Sequence, residues 1–372
     1  MKNITVIGIG RLGLGFALLL EKSGFNVLGI DVNPNYLNQL ENKTFDSAEP
    51  GYNELLKNSK NFRTSTSLET GLEFSNLIFI LVPTPNGGGN RFYDHSILSS
   101  LLTNINKLAP KNKHFVIGCT VMPKYCDEVA VSLLENCENC SLSYNPEFIA
   151  QGDIVRGFEN PDIILVGTNS REEIPAIMEN IYSKIAINKP KYCFVTLRDA
   201  EITKIAINGY ITTKISYANM ISDFCDILGA NTNQVLDAIG SDSRIGTKYF
   251  KAGYSFGGPC FPRDTKALAQ CIEEADLPTD LLKATTQYNE FHIDFQAEQL
   301  LEYAQLQDSD KITIEGVCYK EGSKIPIIEE SAKLKIANKL SRYINIEIKD
   351  TKELIQEVKK EYGNRFEYTV CE

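Results

Sequence analysis

The sequence predicts an α/β protein with an N-terminal parallel sheet, a central helical region and a small C-terminal α/β unit. Three observations predict this order. Short β-branched runs alternate with helical patterns in the first third, the stretch from Asp199 to Leu228 keeps helical spacing without a proline, and strand-like runs return only after Asp308. Alternating strand and helix patterns are typical of a parallel sheet covered by helices. The predicted domains are residues 1–196, 197–306 and 307–372.

The composition is that of an ordinary folded protein. The chain has 372 residues, of which 43% are hydrophobic and 23% are charged, and both fractions lie in the usual globular range. A net charge of −10 disfavours binding to nucleic acid and to anionic membranes. Ten scattered cysteines indicate a reducing compartment, and the longest apolar runs are too short to cross a bilayer. We therefore expect a cytoplasmic protein with no nucleic-acid or membrane partner.

The first domain is predicted to be a sheet of short apolar strands wrapped by helices. The apolar run at the N-terminus is interrupted by glycines, which indicates a strand rather than a signal peptide. A helix is predicted over 13–22. The predicted strands are 4–7, 26–30, 77–82, 114–117, 142–144 and 163–166.

The middle of the chain is predicted to be helical and the end to be mixed. One long helix is expected over 199–228, where Gly229 is suited to end it. Further helices are predicted over 232–239, 262–275, 278–306, 329–342 and 351–362. Strands are predicted over 312–317 and 344–348.

A glycine pattern at the first strand–helix junction predicts a dinucleotide site. Gly8, Gly10 and Gly13 form GxGxxG, which lets a pyrophosphate approach a helix N-terminus in a Rossmann-like domain. Asp31 ends the next strand, where a carboxylate accepts hydrogen bonds from ribose and repels a 2′-phosphate. The pattern therefore predicts NAD rather than NADP, although glycines can also serve only the packing of helix on strand.

A cysteine near position 260 is placed where a thiol can be activated. Cys260 follows a glycine-rich loop and precedes a helix expected to begin near Pro262. A helix N-terminus and a nearby cation such as Arg263 favour the thiolate, which is the nucleophilic form. A single cysteine is otherwise more often a small buried apolar residue.

Two polar side chains share one face of the long predicted helix. Lys204 and Asn208 are four residues apart, so both can approach one developing oxyanion. Glu147, in a loop after a predicted strand, is a candidate acid or base. The alternative is an exposed polar stripe, but the apolar neighbours around this helix favour burial.

The chain contains GIGRLG with Asp31, LVPTP at 81–85, NPEF at 145–148, AEITKIAINGY at 200–210, SRIG at 243–246 and FGGPCFPRDTKAL at 256–268. These motifs together resemble those of the UDP-glucose 6-dehydrogenase family, within the UDP-glucose/GDP-mannose dehydrogenases. The similarity extends from residue 1 to about residue 325. It implies oxidation of UDP-glucose to UDP-glucuronate with two NAD, and a place in polysaccharide biosynthesis.

The resemblance also implies a role for each matching residue. Cys260 would form a thiohemiacetal and then a thioester, while Lys204 and Asn208 would hold the oxyanion. Asp264 and Thr120 would orient water, and Glu147 would assist thioester hydrolysis. Cofactor contacts are implied for Gly8, Gly10, Arg11, Leu12, Gly13, Asp31, Val82, Pro83, Thr84, Thr120 and Arg263. Substrate contacts are implied for Glu147, Phe148, Lys204, Asn208, Arg244, Tyr249, Phe256, Gly257 and Lys320.

Arg244 resembles an arginine that reaches the substrate of a neighbouring subunit. The resemblance therefore implies a homodimer with the long helix at its interface. No metal is expected, because the CxxC of Cys137 and Cys140 has no second ligand pair at zinc spacing.

The chain departs from the family pattern mainly in its last domain. Glu329 stands where the family commonly has an arginine that contacts the nucleotide, and the domain is expected to be shortened. Two alternatives follow. One is the same chemistry on GDP-mannose or a UDP-N-acetylhexosamine, and the other is a nucleotide-binding homologue without catalysis. A two-electron hydroxyacid dehydrogenase would share the first domain but would have no use for Cys260.

Overall fold

The structure is a computed structural model that describes residues 2–89, 91–169, 172–320, 322–323 and 325–371. Its strands are β1 (Asn3–Ile7), β2 (Asn26–Ile30), β3 (Phe62–Ser65), β4 (Leu77–Ile80), β5 (His114–Ile117), β6 (Ser141–Tyr144), β7 (Ile163–Thr168), β8 (Lys191–Val195), β9 (Lys311–Glu315), β10 (Asn345–Asp350) and β11 (Glu367–Val370). Its helices are α1 (Arg11–Lys22), α2 (Pro34–Glu41), α3 (Tyr52–Asn58), α4 (Leu68–Phe74), α5 (Ser96–Leu108), α6 (Ile154–Glu159), α7 (Glu173–Ile185), α8 (Leu197–Leu228), α9 (Thr232–Gly240), α10 (Phe261–Glu273), α11 (Asp280–Leu306), α12 (Ala332–Leu340) and α13 (Lys352–Tyr362). A π-helical turn occupies Tyr125–Ala130. The predicted α/β fold class is confirmed.

The first sheet has eight strands in the order β3-β2-β1-β4-β5-β6-β7-β8. All neighbours are parallel except β6 and β7, which pair antiparallel with Tyr144 opposite Gly167. Since β8 is parallel to β7, the last two strands run against the first six. The sequence does not reveal this reversal, because a strand buried on both faces has the same apolar pattern in either direction.

Two apolar layers sandwich this sheet. Phe16 on α1 lies in one layer. Its ring centroid is 5.1 Å from that of Phe158 and 6.1 Å from that of Tyr182. The other layer includes Leu98 and Leu102 on α5, which are fully buried. Both faces are covered, as expected of a sheet built from strand–helix–strand units.

Residues 1–204 and residues 205–372 form two compact units. The second unit contains most of α8, the helices α9 to α11, and a three-stranded parallel sheet of order β11-β10-β9. Helix α8 contributes residues to both units. The predicted limits at 196 and 306 remain predictions.

Every predicted helix is present in the structure, and the differences occur at the helix ends. The long helix predicted over 199–228 is α8, which begins at Leu197. The helix predicted from Glu329 begins at Ala332, because the Ser331 hydroxyl accepts a hydrogen bond from the Leu334 amide and caps it. Strands β3, β8 and β11 and helices α2 to α7 were not predicted; the residues of β11 are mostly exposed and show no clear apolar pattern. In the part of the chain that the structure describes, no helix is both long and apolar enough to span a membrane.

Candidate active site

The turn from β1 to α1 leaves an accessible helix N-terminus. Gly8 has φ +84°, and a Cβ there would lie 2.8 Å from the backbone of Leu81. A Cβ on Gly13 would lie only 2.0 Å from the Gly8 carbonyl oxygen. Gly10 is the exposed N-cap of α1, and a Cβ there would meet nothing within 4 Å. The turn is therefore tight on its protein side and open on its outer side, as a bound pyrophosphate requires.

The other predicted cofactor residues of this unit follow strand ends. Asp31 comes directly after β2, and its Oδ1 accepts a hydrogen bond from the Asn33 amide at 3.1 Å. Val82 and Pro83 follow β4, and the hydroxyl of the next residue, Thr84, donates to the Thr120 carbonyl at 2.8 Å. Arg11 and Leu12 begin α1. The structure thus brings the residues after β4 and after β5 together, because the carboxyl ends of parallel strands share one edge of the sheet.

Lys204 reaches the loop that follows β6. Its side chain is only 6% exposed, and its Nζ donates to the carbonyl oxygen of Glu147 at 2.6 Å. The same ammonium lies 4.8 Å from the ring centroid of Phe148, close enough for a cation–π interaction. Lys204, Glu147 and Phe148 are therefore brought together in the structure.

The carboxyl group of Glu147 lies in an environment that disfavours its charge. Burial raises its pKa to about 7, although a hydrogen bond from Tyr182 and the charge of Lys204 act in the opposite direction. The Tyr182 hydroxyl lies 2.9 Å from Glu147 Oε1 and 2.5 Å from Asn145 Oδ1. A carboxyl group with a pKa near neutrality is suited to proton transfer.

Cys260, Asn208 and Asp264 form a second cluster within residues 205–372. Cys260 is exposed and is the N-cap of α10, and its carbonyl accepts from the Asp264 amide at 2.8 Å. Asp264 is 1% exposed, and its Oδ2 accepts from Asn208 Nδ2 at 2.5 Å. Arg263 lies in the first turn of α10. The predicted juxtaposition of Cys260 with a helix N-terminus is therefore present.

The remaining predicted substrate residues have different environments. Phe256 is buried, whereas Tyr249 is exposed and has φ +57°. Arg244 is exposed, and its guanidinium pairs with Asp242 in the same loop, with Nη2 and Oδ2 2.6 Å apart. Lys320 is half-buried in the segment after β9.

The glycines before Cys260 pack closely on the C-terminal segment. A Cβ on Gly257 would lie 2.1 Å from the Glu330 carbonyl oxygen, and one on Gly258 would lie 2.2 Å from the Tyr319 ring. The Gly258 amide donates to the carbonyl of Glu329 at 3.1 Å. The backbone of Glu329 therefore supports residues 253–258, which we call the cysteine loop. Any residue type at position 329 can make this backbone contact.

Several residues that hold these loops were not predicted from the sequence. Glu201 is fully buried and accepts from the amides of Lys124 and Cys126, which fixes the segment after Thr120. Tyr182 adjoins Glu147, and Asn289 binds the backbone of the cysteine loop. Glu201 and Asn289 both stand among other polar residues of their helices, so the local sequence pattern carries no signal that distinguishes them.

Among the described residues, no group of three or more His, Cys, Asp or Glu side chains is arranged to hold a metal ion. His292 contacts the loop before Cys260, where its ring nitrogens face the Asp223 carboxylate and the Gly253 carbonyl.

Two family models match this chain. One is the NAD binding domain of the UDP-glucose/GDP-mannose dehydrogenase family, over residues 2–186, and the other is the central domain of that family, over residues 198–291. The chain belongs to the UDP-glucose/GDP-mannose dehydrogenase family. The predicted resemblance is therefore confirmed, and so is the prediction of an oxidoreductase that uses a nicotinamide dinucleotide.

Individual relatives agree with this assignment. The UDP-glucose 6-dehydrogenase of Rickettsia prowazekii is 30% identical over 331 residues, which are 86% of this chain and 74% of that protein. The structure of a UDP-glucose dehydrogenase from the archaeon Pyrobaculum islandicum superposes with a TM-score of 0.86 at 26% identity, covering 100% of this chain and 86% of that one. A UDP-D-ManNAc dehydrogenase from Pyrococcus horikoshii shares the fold, with a TM-score of 0.79 at 21% identity over 93% of this chain and 83% of that one.

Proposed function

We propose that the protein oxidises UDP-glucose to UDP-glucuronate with NAD. The balanced reaction consumes one alcohol, two NAD and one water, and it yields one carboxylate, two NADH and three protons. The observation that carries the proposal is Cys260 at the N-terminus of α10, one turn before the buried Asp264 that binds Asn208. A two-electron dehydrogenase needs no nucleophile at such a position.

The residues of the β1–α1 turn fit a dinucleotide. The open space at Gly10 and the accessible N-terminus of α1 suit a pyrophosphate, and Asp31 suits an adenosine ribose without a 2′-phosphate. Bound NAD would accept a hydride from the substrate carbon in each oxidation. Gly8, Gly10, Gly13 and Asp31 would hold the dinucleotide, which supports NAD rather than NADP.

The first oxidation removes a proton from the C6 hydroxyl and a hydride from its carbon. Lys204 is buried, and its ammonium already faces a carbonyl oxygen, so it is suited to stabilise an oxygen that gains negative charge. Asn208 lies one helical turn further along α8 and supplies an amide donor. These two residues would hold the developing oxyanion.

The second oxidation uses the thiol. The thiolate of Cys260 adds to the aldehyde carbon and forms a thiohemiacetal, and loss of hydride converts that carbon to a thioester. Water then attacks the thioester carbonyl, the carbon–sulfur bond breaks, and the thiolate is regenerated. Thr120, Asp264 and Glu147 are the groups that would orient this water or take its proton, and the pKa of about 7 for Glu147 suits that task.

The exposed face of α8 supports the proposal of a homodimer. Five exposed apolar side chains recur there at intervals of three, four and seven residues, so they share one face of the helix. They are Tyr210, Tyr217, Met220, Phe224 and Ile227. Contiguous exposed apolar surface of this kind indicates a protein interface. We place the protein in the cytoplasm, which its ten scattered cysteines favour.

The test measures NADH at limiting UDP-glucose. The wild-type protein should release two NADH for each sugar nucleotide consumed, and Cys260→Ser should abolish formation of the carboxylate. Cys271→Ser is the matched control, because Cys271 lies on the same helix α10 but away from its N-terminus, and it should retain the two-to-one ratio.

The outcomes separate the alternatives. A two-to-one ratio only with GDP-mannose or a UDP-N-acetylhexosamine would leave the chemistry intact and change the substrate. Full turnover by Cys260→Ser would refute the covalent route. NAD binding without NADH from any sugar nucleotide would indicate a homologue without catalysis.

A further inference from the structure

The loop that leads to Cys260 is held by side chains of two helices. Asn289 on α11 accepts from the Phe256 amide at 2.8 Å and donates to the Phe256 carbonyl at 3.0 Å. Asn219 on α8 accepts from the Gly253 amide at 3.0 Å. The Ser255 hydroxyl donates to the Asn289 carbonyl at 2.6 Å. The cysteine loop has no regular secondary structure, so these hydrogen bonds replace those that a neighbouring strand would provide.

His292 adds a contact of a different kind to the same loop. It lies one turn after Asn289 on α11 and is 3% exposed. Its Nε2 is 2.8 Å from the Gly253 carbonyl oxygen, and its Nδ1 is 2.9 Å from the carboxylate of Asp223 on α8. The Asp223 carboxylate also accepts from the Tyr288 hydroxyl at 2.8 Å.

Both ring nitrogens of His292 therefore face acceptors. A neutral imidazole has one N–H, so one of its nitrogens would point a lone pair at an oxygen under 3 Å away. A carboxylate that already accepts from Tyr288 is an acceptor rather than a donor. The geometry consequently suits an imidazolium that donates to both oxygens, with Asp223 as its counter-charge. Charge-assisted hydrogen bonds of this type are stronger than neutral ones.

We propose that His292 is a positioning residue which, through the Gly253 carbonyl, fixes the cysteine loop and thereby the placement of Cys260. Asp223 supplies the charge that keeps both N–H donors of the ring in place. This inference rests on the proposed function of Cys260 for its catalytic consequence, but its structural consequence can be measured without turnover.

The first measurement is amide hydrogen exchange of the full-length protein, followed by mass spectrometry. Replacing His292 by leucine removes both donors at similar size, so amides of residues 253–258 should exchange at least about tenfold faster than in the wild type. His292→Gln retains one N–H donor able to reach the Gly253 carbonyl, and it should restore most of the protection. Tyr288→Phe is the matched control, because it loses a contact to Asp223 but none to the loop, and its loop should exchange as in the wild type.

The second measurement is the steady-state oxidation of UDP-glucose. A misplaced nucleophile lowers the rate of the chemical step, so His292→Leu should lose on the order of tenfold or more in kcat with little change in KM. His292→Gln should recover part of kcat, and Tyr288→Phe should keep it.

The two measurements test the role of His292 and the proposed function separately. Unchanged loop exchange in His292→Leu would overturn the inference, whatever the enzyme does. Faster exchange throughout the protein, with equal effects in His292→Leu and Tyr288→Phe, would also overturn it, because His292 would then serve stability alone. If the wild type oxidises no sugar nucleotide, the proposed function fails, and loop exchange still decides whether His292 holds the loop.

Discussion

At the scale of single residues, Glu147 has two chemically distinct functions in one position. Its backbone carbonyl accepts a hydrogen bond from the ammonium of Lys204, and its carboxyl group accepts one from the Tyr182 hydroxyl. The lysine is thus anchored by a group that cannot titrate, and the carboxyl group remains able to exchange a proton. Burial raises the pKa of that carboxyl group to about 7, so its charge changes within the physiological range.

We predict that the rate of carboxylate formation depends on this ionisation. If Glu147 accepts a proton from water, its charged form is the active one, so kcat should rise with pH and level off above about pH 7. Glu147→Gln should lose this rise and about 100-fold in kcat. The measurement is kcat of both proteins between about pH 5.5 and 9, a range that includes the pKa of Glu147.

Tyr182→Phe provides the directional control. The Tyr182 hydrogen bond stabilises the carboxylate and lowers the pKa of Glu147, so its removal should shift the midpoint of the profile to higher pH. A midpoint that stays in place or moves to lower pH would assign the titration to another group.

The sequence predicts these residues better than it predicts their contacts. The four-residue spacing of Lys204 and Asn208 places both on one face of α8, and motif context identifies Cys260 and Glu147. The partners could not be foreseen, because Asp264 lies 56 residues from Asn208 and Tyr182 lies 35 residues from Glu147. Long-range pairing depends on how the elements pack, and a local pattern does not contain that information.

At the scale of elements, α8 combines a polar beginning with an apolar exposed face. Its first turns hold Glu201, Lys204 and Asn208, whose side chains are buried. Farther along, Phe224 is 58% exposed and Ile227 is 72% exposed. One helix therefore supplies both catalytic candidates and a candidate interface.

We predict that positive charges introduced on the exposed apolar face of α8 prevent dimer formation. The double variant Tyr217→Arg, Phe224→Arg places two like charges where a second copy would pack, so it should elute as a monomer at concentrations where the wild type is a dimer. Asp226→Arg is the control, because Asp226 is exposed on the same helix outside the apolar set. The mass is measured by size-exclusion chromatography with light scattering, and a wild-type monomer would contradict the prediction.

The sequence predicts the type of long elements and misjudges their ends. Helix α8 is recognisable because its apolar periodicity continues for 32 residues. Helix α12 begins at Ala332 because Ser331 caps it. The residues just before Ser331 continue the same sequence pattern, so the pattern alone does not reveal where the helix begins. The antiparallel direction of β7 depends on the path of the chain after β6, which apolar patterning does not encode.

At the scale of the whole molecule, the chain forms two compact units, and the dinucleotide turn belongs to the first. A ligand that binds only the folded state adds RT ln(1 + [L]/Kd) to the free energy of unfolding, which is about 2.7 kcal/mol at 100 times Kd. NAD should therefore stabilise the transition in which residues 1–204 unfold.

We predict that two glycine variants separate binding from folding. Gly10→Ala adds a methyl group where nothing lies within 4 Å, so it should fold within about 1 kcal/mol of the wild type but lose most of the stabilisation by NAD. Gly13→Ala would place its methyl group 2.0 Å from the Gly8 carbonyl oxygen, so it should unfold more easily even without NAD. Denaturant titration of each protein with and without NAD measures both effects, and equal behaviour of the two variants would contradict this reading of the turn.

The number of residues between the end of β8 and Lys204 determines the direction in which the Lys204 side chain leaves α8. Gly167 pairs with Tyr144 at the end of β6 and with Val195 at the end of β8, so the chain enters α8 level with the end of β6, and the first two turns of the helix carry Lys204 to the loop of Glu147. Each residue of an α-helix advances the side-chain direction by about 100°. A single insertion or deletion between Leu197 and Lys204 would therefore rotate the ammonium away from its carbonyl, even though every other residue of the site kept its identity. Reading-frame-preserving changes of one codon in this short interval should be among the most harmful in the gene, whereas point substitutions on its exposed side should be tolerated.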